Sequence, residues 1–428
     1  MDAAVTNSTL PPKGVSCYLH FAMNIIRAYK TELDPNNVQR TMFLRCAGTA
    51  RFIFNWALAD RKERWEQGQQ NTNLYEQKRR FNAMKREQWP WLYEVPYTVQ
   101  ESAFANLDTA YQNFFRRVKQ SLQEPGYPKF KSRKQGIGSF TLRGSIHVEQ
   151  GQIKLPRIGW VKLKEREYLP SEQQVKLLSV TISERAGRWY ASVQVEEDGP
   201  EPEMGKDTIG VDLGISHLAV CSDGMVFENP KALVNAQRKL TRLQREFSRR
   251  SQGGQNWHKT KAKIARCHAK IANVRQHALH QVSHYVTAKA KPETVVIEDL
   301  NVSGMLQNHC LARAVSDASF SELRRQIEYK AQWHGVNVVM AGRFWPSSKA
   351  CSRCGCVKDN LTLADRTYTC DDCGLIIDRD LNAALNLAAY GQNRQTDGDC
   401  LGSCGERRPY CEPGTEQPIV AEVSDGTL

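Results

Sequence analysis

Two cysteine pairs, Cys351-x2-Cys354 and Cys370-x2-Cys373, constrain this chain more than any other feature. Two tight knuckles separated by fifteen residues can wrap four thiolates round one ion, the closed tetrahedral set that structural zinc prefers. A closed set leaves no coordination position for water, so the spacing points to folding and to positioning of neighbours, not to catalysis. Cys356 lies nearby, at a spacing that does not suit the second ligand of a knuckle. The other cysteines (Cys17, Cys46, Cys221, Cys267, Cys310, Cys400, Cys404 and Cys411) show no such pattern and read as buried or incidental. Thirteen cysteines is an odd number, and with four in metal spacing a secreted disulfide scaffold is excluded.

The chain has 428 residues, room for two or three domains with cores of their own. Lys and Arg number 59 against 46 acids, a formal charge of +13, which suggests a polyanionic partner, nucleic acid above all. The charge is unevenly spread. From Thr396 to Leu428 there are seven acids and two arginines, so the rest of the chain carries +18. Between Lys231 and Ala290 stand fourteen Lys/Arg and one acid, Glu246, a density that repels itself unless phosphates neutralise it. No signal peptide is visible in MDAAVTNSTLPPKG, and no window approaches eighteen apolar residues. These features lead us to expect a cytoplasmic protein, nucleoid-associated when acting. Residues 1–22 read as a flexible extension, and Met23 as an alternative start.

Periodicity divides the remainder. A strand is expected over Asn24–Lys30, then helices opening at Asp34-Pro35 and running over Val99–Gln120, the second with an apolar stripe through Ala103, Leu107, Tyr111 and Phe114. The run PGYPKFKSRK (Pro125–Lys134) mixes two aromatics with four cations, a composition that suits a surface tracking a nucleic-acid backbone. Short strands divided by Gly and Pro turns follow from Gly138 to Val195 and suggest a small β-barrel. After an acidic, Pro-rich linker the pattern changes. Thr208–Leu213 reads as a strand, Leu218–Cys221 and Met225–Glu228 as a hairpin, and Thr294–Ile297 as a further strand. Between them lie two long basic helices broken at Ser251–Gly254. A helix over Asp317–His334 then leads to a strand at Val336–Ala341.

Three acids stand at the ends of such elements. Asp212 closes the strand Ile209-Gly210-Val211, Glu298 closes Val295-Val296-Ile297, and Asp380 sits where a helix opens in DRDLNAALN. Carboxylates of this kind are the hard ligands magnesium takes, and ions held by them can promote phosphodiester hydrolysis. Asp299 should face away from Glu298, because successive strand residues point to opposite faces.

The runs IGVDLG, VVIEDL, FWPSSKACSRCG, YTCDDCG and DRDLNAALN occur in that order, and upstream stand NLDTAYQNFFRRVKQ, PGYPKFK and LPRIGWVKLK. Together, over roughly residues 24–395, they resemble the TnpB family, transposon-encoded relatives of type V CRISPR effectors. The resemblance implies a mixed α+β protein: an RNase H-like RuvC nuclease domain with an inserted zinc ribbon, plus an N-terminal wedge β-barrel carrying a helical recognition insert. The implied layout is a flexible extension over 1–22, the barrel over 23–33 and 121–198, and the helical insert over 34–120. A linker follows at 199–206, the nuclease at 207–349 and 375–395, the ribbon at 350–374, and a disordered acidic tail at 396–428.

The family's catalytic acids map onto Asp212, Glu298 and Asp380, which would hold magnesium, while Cys351, Cys354, Cys370 and Cys373 would hold zinc. Asp378 and Arg379 read as supporting residues that orient the helix or a phosphate. The implied activity is RNA-guided cleavage of double-stranded target DNA. A guide RNA from a transposon end would direct it, and a target-adjacent motif would be read on the DNA. Three alternatives stay open: a guide-directed repressor without nuclease activity, an effector serving a CRISPR array, and a zinc-ribbon binder without guide RNA.

Overall fold

The computed structural model describes residues 24–68, 73–121, 124–200, 205, 207–358, 360–362 and 365–396. The expected extension at 1–22, Met23, most of the linker, and the tail from 397 onward lie outside the described residues. So do Cys17, Cys400, Cys404 and Cys411.

The chain opens on a strand, β1 (Asn24–Asp34), which runs past the expected end at Lys30 because it pairs antiparallel with β7 (Arg188–Asp198), from Asn24 against Asp198 to Leu33 against Trp189. A thirty-residue helix, α1 (Asn37–Glu66), follows. It starts not at Asp34-Pro35 but at a capping box. The Asn36 side chain accepts from Gln39 N at 2.9 Å, and Gln39 accepts in return from Asn36 N at 3.1 Å. The Gln39 amide also donates to Trp160 O at 2.7 Å, tying the helix start to the sheet.

Helices α2 (Leu74–Gln88) and α3 (Tyr97–Lys119) complete a helical layer. One helix serves two cores. Phe43, Cys46 and Ala47 of α1 pack into the sheet, whereas Ile53, Phe54, Ala57 and Leu58 pack against Phe81, Leu92, Phe104 and Leu107 of the helical layer. The segment after α3 is held to α1 by Asn55, whose side chain accepts from Lys131 N and donates to Lys131 O, both at 2.8 Å.

Strands β2 (Ser139–Leu142), β3 (His147–Glu149), β4 (Gln152–Leu155), β5 (Gly159–Leu163) and β6 (Lys176–Arg185) join β1 and β7 in the order β2-β6-β7-β1-β5-β4-β3. Ala186 (φ 55°) and Gly187 (φ 83°) form the turn between β6 and β7, the pair of positive φ angles a right-twisted hairpin requires. Trp189, Ala191, Val193 and Val195 alternate inward along β7. Phe140 and Leu142 of β2 share one core with Ile153 and Leu155 of β4, so the sheet curls round a single interior.

A second sheet begins after the linker. Strands β8 (Thr208–Asp212), β9 (His217–Cys221) and β10 (Val226–Glu228) form an antiparallel meander. Helices α4 (Ala232–Ser248) and α5 (Gln255–His284) form a hairpin whose apolar seam is Leu240, Leu243, Cys267 and Ile271. The one acid of that basic stretch has a structural job. Glu246 accepts from Arg250 at 3.1 Å and Thr260 at 3.0 Å, pinning the hairpin tip.

Strand β11 (Thr294–Glu298) lies parallel to β8. After α6 (Val302–Gln307), α7 (Ala312–Ala318) and α8 (Phe320–His334) comes β12 (Asn337–Ala341), parallel to β11, giving the order β10-β9-β8-β11-β12. The helix expected over Asp317–His334 is broken at Ser319 (φ 55°). The chain ends its described course in the small hairpin β13 (Thr367–Thr369) and β14 (Ile376–Asp378), then α9 (Arg379–Thr396).

Candidate nuclease centre and cysteine quartet

Strands β8 and β11 are buried along their whole length except at the last residue, and in each that residue is an acid. Their register pairs Val211 with Ile297, so Asp212 and Glu298 emerge side by side at the carboxyl ends of neighbouring parallel strands, spaced about 5 Å apart. Alternation decides which way they point. Ile209, Val211, Val295 and Ile297 face the core made with Leu279 and Val282 of α5 and Leu323 and Ile327 of α8. Gly210, Asp212, Val296 and Glu298 therefore face the other way, onto α9, where Leu387 packs on Val296.

That helix approaches unusually closely. Its inner face is built from Ala383, Ala384, Leu387, Ala388 and Gly391. A Cβ on Gly210 would overlap the Ala384 carbonyl oxygen and the Ala388 backbone nitrogen, and one on Gly391 would press on Val296 and Thr208. Gly210→Ala is therefore expected to push α9 outward, destabilising the chain by about 1–3 kcal/mol in denaturant titrations and cutting activity disproportionately, because Asp380 rides on that helix. A substitution without effect on either reading would contradict the close packing.

Asp380, 9% exposed, sits in the first turn of α9. The Asp378 side chain caps this turn, accepting from Asp380 N and Leu381 N, both at 3.0 Å. Burial, followed by the charges of Glu298 and Asp380, pushes the Asp212 carboxyl well above the usual carboxylate range, with Arg379 opposing. The three acids thus share one electrostatic environment. Among the described residues, the cysteine quartet is the only group of three or more His, Cys, Asp or Glu packed tightly enough to hold an ion without rearrangement. The three acids are not drawn together as tightly as the four sulfurs.

The residues round the acids fix their orientation. The Ser347 hydroxyl donates a short hydrogen bond to Glu298. His217 Nδ1 lies 3.6 Å from Asp380 Oδ2, and its Nε2 lies 3.6 Å from Glu228. Asp299 is turned to a separate task, with Arg343 at 2.7 Å and Arg324 at 3.3 Å.

The quartet closes as its spacing anticipates. The four sulfurs lie within 4.8 Å of one another, Cys351 and Cys373 at 3.6 Å and Cys354 and Cys370 at 3.5 Å. The two knuckles are near copies. Gly355 N donates to Cys351 O at 2.9 Å and Gly374 N to Cys370 O at 3.1 Å, each glycine at the positive φ the turn needs (77° and 69°). Cys351 N bonds Cys356 O and Cys370 N bonds Leu375 O, both at 2.8 Å. Cys356 therefore serves its knuckle through its backbone, and its thiol stands outside the quartet. Cys46, Cys221 and Cys267 are buried, and Cys310 is exposed.

Two asparagines on α9, Asn382 and Asn386, bind the quartet to the acids. Both are buried, at 0% and 6% exposure. Asn382 donates to Ala350 O at 2.7 Å and accepts from Ser352 N at 3.0 Å; Asn386 donates to Ser347 O and Ala350 O, both at 2.7 Å. Arg379 gives its Nη1 to the carbonyls of Thr362 and Asp365, so it holds these residues between the two knuckles as well as biasing Asp212. Ser347, Asn382, Asn386, His217 and Gly210 carry roles that sequence reasoning missed. The available signal was two asparagines four apart inside a helix, where this residue type is a poor helix former and so usually has a partner.

The family model described as "Probable transposase" (OrfB of IS605) matches residues 190–309, and a Cas12f1-like TNB domain matches 320–387. A helix-turn-helix domain model matches 23–70, where the described residues form β1 and the single helix α1. A protein of Streptomyces pristinaespiralis named as an RNA-guided DNA endonuclease is 35% identical, over 87% of this chain and 91% of its own length. InsQ of Escherichia coli K12, named likewise, is 32% identical over 92% and 98%. A solved structure of the mini-RNA-guided endonuclease CRISPR-Cas_phi3 covers 86% of this chain and 92% of its own, at 9% identity and a TM-score of 0.49. Identity at that level along nine-tenths of the relatives' length, with the five motifs in order, shows that this chain belongs to the TnpB family.

Proposed function

We propose that this chain is an RNA-guided endonuclease that cuts double-stranded DNA at a single magnesium-dependent RuvC centre. The observation that carries the reading is the meeting of Asp212, Glu298 and Asp380, from three separate motifs, on one face of the second sheet. The strand order β10-β9-β8-β11-β12, with acids at the ends of its two adjacent parallel strands, supports an RNase H-like nuclease spanning 207–349 and 375–395. The first sheet (23–33 and 121–198) would be the wedge barrel, the helices of 34–120 its recognition insert, and 350–374 the zinc ribbon. Cys351, Cys354, Cys370 and Cys373 suit zinc, since sulfurs about 2.3 Å from a tetrahedral ion stand close to 3.8 Å apart.

The three carboxylates offer the hard oxygen donors magnesium takes. Magnesium, when bound, supplies charge that activates the attacking water and stabilises the leaving oxygen. The chain's own contribution is orientation. β8 and β11 fix two acids by register, capped α9 presents the third, and Ser347 holds Glu298 in one rotamer. The cations of α4 and α5 would meet phosphates without reading sequence, leaving sequence to base pairing between guide and target. The guide RNA would come from a transposon end, and a target-adjacent motif would be read on the DNA. No helix among the described residues is long and apolar enough to cross a membrane; the proposed place of action is the cytoplasm, in association with the nucleoid.

The test is purification with bound RNA, sequencing of that RNA, and incubation with magnesium and duplexes that do or do not match its terminal segment. Cutting of the matched duplex alone is expected. RNA drawn from no single locus, or cutting indifferent to the match, overturns the reading.

A further inference from the structure

The loop between β12 and the first knuckle exposes one large apolar side chain that the fold does not use. Trp345 N bonds Gly342 O at 2.9 Å, a tight turn with Arg343 and Phe344 at its tip. Every other reach of this loop is anchored. Arg343 pairs with Asp299 at 2.7 Å, Trp345 packs on Tyr390 with ring centroids 4.9 Å apart, and Ser347 bonds Glu298. Phe344 alone stands out, 94% exposed, the most exposed large apolar side chain among the described residues. Its turn is held by the residues that flank the acids, so the ring has a fixed base only three positions from the group that orients Glu298.

Arg343, its neighbour, lines a cleft of about 470 Å³ that also takes in Glu298, Asn301, Ser303, Arg324 and Arg325. Three guanidiniums there stand with four acids, Glu298 and Glu328 of the lining and Asp299 and Glu322 beside it, and Arg324 pairs with Glu328 at 2.7 Å. Arg324 and Arg343 share Asp299, and Arg325 is held by Glu322 at 2.8 Å, so all three are braced in place. The cleft combines guanidiniums for phosphate, amide and hydroxyl groups for sugar or base edges, and one end at the candidate centre.

We propose that Phe344 is a positioning residue that stacks on a nucleobase of the single strand being cut, while the adjoining arginine-lined cleft holds that nucleotide's backbone. A ring on a braced turn next to a row of fixed guanidinium donors is a combination that can grip single-stranded nucleic acid without regard to sequence. It fixes the register of the strand against the acids, so its loss costs rate at the cut more than overall affinity. The proposal rests on the nuclease reading for the identity of the strand. Its test reads stacking separately from hydrolysis.

The full chain with its guide RNA is given matched duplexes carrying 2-aminopurine at single positions along the strand to be cut, in an Asp212→Asn background that keeps the strand whole. Quenching is expected at one or two positions beside the cut phosphate. It should vanish with Phe344→Ala and return with Phe344→Tyr. With Asp212 restored, Phe344→Ala should cut about tenfold more slowly at saturating DNA, a loss within the range of one base–ring stack. Phe344→Tyr should cut at close to the original rate. Because the ring is exposed, its removal leaves the core intact. Quenching that is absent from the start, or unchanged in Phe344→Ala, overturns the proposal whatever the cutting rates. A cutting defect that Phe344→Tyr fails to restore does so too. Should Asp212→Asn itself cut normally, the nuclease centre is misassigned, and the fluorescence still reports on the stack.

Discussion

Replacing Asp212 by asparagine should lower guide-directed DNA cutting by at least about 10³-fold while leaving RNA and DNA binding in place. The reasoning starts from charge. Asp212 lies between two strands and a helix, with Glu298 and Asp380 as its charged neighbours, and the three carboxylates together would hold the cation. Asparagine keeps the shape and one oxygen but removes the central negative charge. A bound cation supplies several kcal/mol of transition-state stabilisation, and each 1.36 kcal/mol is tenfold in rate.

The same substitution should behave oppositely on stability. Burial and two like charges raise the Asp212 carboxyl above its usual range, so the folded chain holds that proton more tightly than the unfolded chain does. Without divalent metal, stability is therefore lost as pH rises from the ordinary carboxylate value toward the raised one. Asp212→Asn removes that loss, so thermal melting of the metal-free protein near neutral pH should occur at a higher temperature than in the parent. It should also show less further gain on adding magnesium. Retained cutting would show that Asp212 holds no essential metal. A lower metal-free melting temperature would show that the acids do not repel one another as the geometry requires.

Much of this centre is legible in the sequence, for a simple reason. A strand buried on both faces reads as a continuous apolar run, and an acid ending such a run stands out, as in Ile209-Gly210-Val211-Asp212 and Val295-Val296-Ile297-Glu298. The cysteine spacing was equally plain, because zinc knuckles are local. What escaped was non-local. Gly210 reads as an indifferent strand glycine until α9 is laid across it. Ser347 reads as polar filler until Glu298 is placed against its hydroxyl, and Asn386 until the carbonyls of Ser347 and Ala350 arrive. Helix α2 is polar along most of its surface, with Phe81 its main apolar contribution to the core, so periodicity gave little signal. The break at Ser319 is a positive-φ backbone event, uncommon in any residue but glycine, inside an otherwise helical pattern. Asp299 was separable from Glu298 by strand alternation alone, and its pairing with Arg324 and Arg343 agrees with that separation.

The quartet's influence on the acids leads to the second large effect. Cys370 is buried beside Tyr368 in a core of very few residues, and its sulfur is 3.5 Å from that of Cys354. So small a unit cannot be held by apolar burial alone, and a structural zinc site contributes its binding free energy directly to folding. Cys370→Ser should therefore abolish stoichiometric zinc, read by metal analysis of the purified chain, and open the β13–β14 hairpin to hydrogen exchange. The consequence travels along a short path. Ala350 and Ser347 offer the carbonyls that Asn382 and Asn386 grip, and the Ser347 hydroxyl in turn holds Glu298. Loosening outer partners of this kind typically costs about 10–100-fold in activity or metal affinity. A loss of cutting in that range is expected, with guide RNA still bound by the sheets and helices upstream. Cys356→Ser supplies the control, since that thiol stands outside the quartet and its backbone carbonyl is what receives Cys351 N. It should keep both zinc and activity. If Cys370→Ser kept its zinc and cut at the parent rate, the quartet would be neither a metal site nor a brace for the acids.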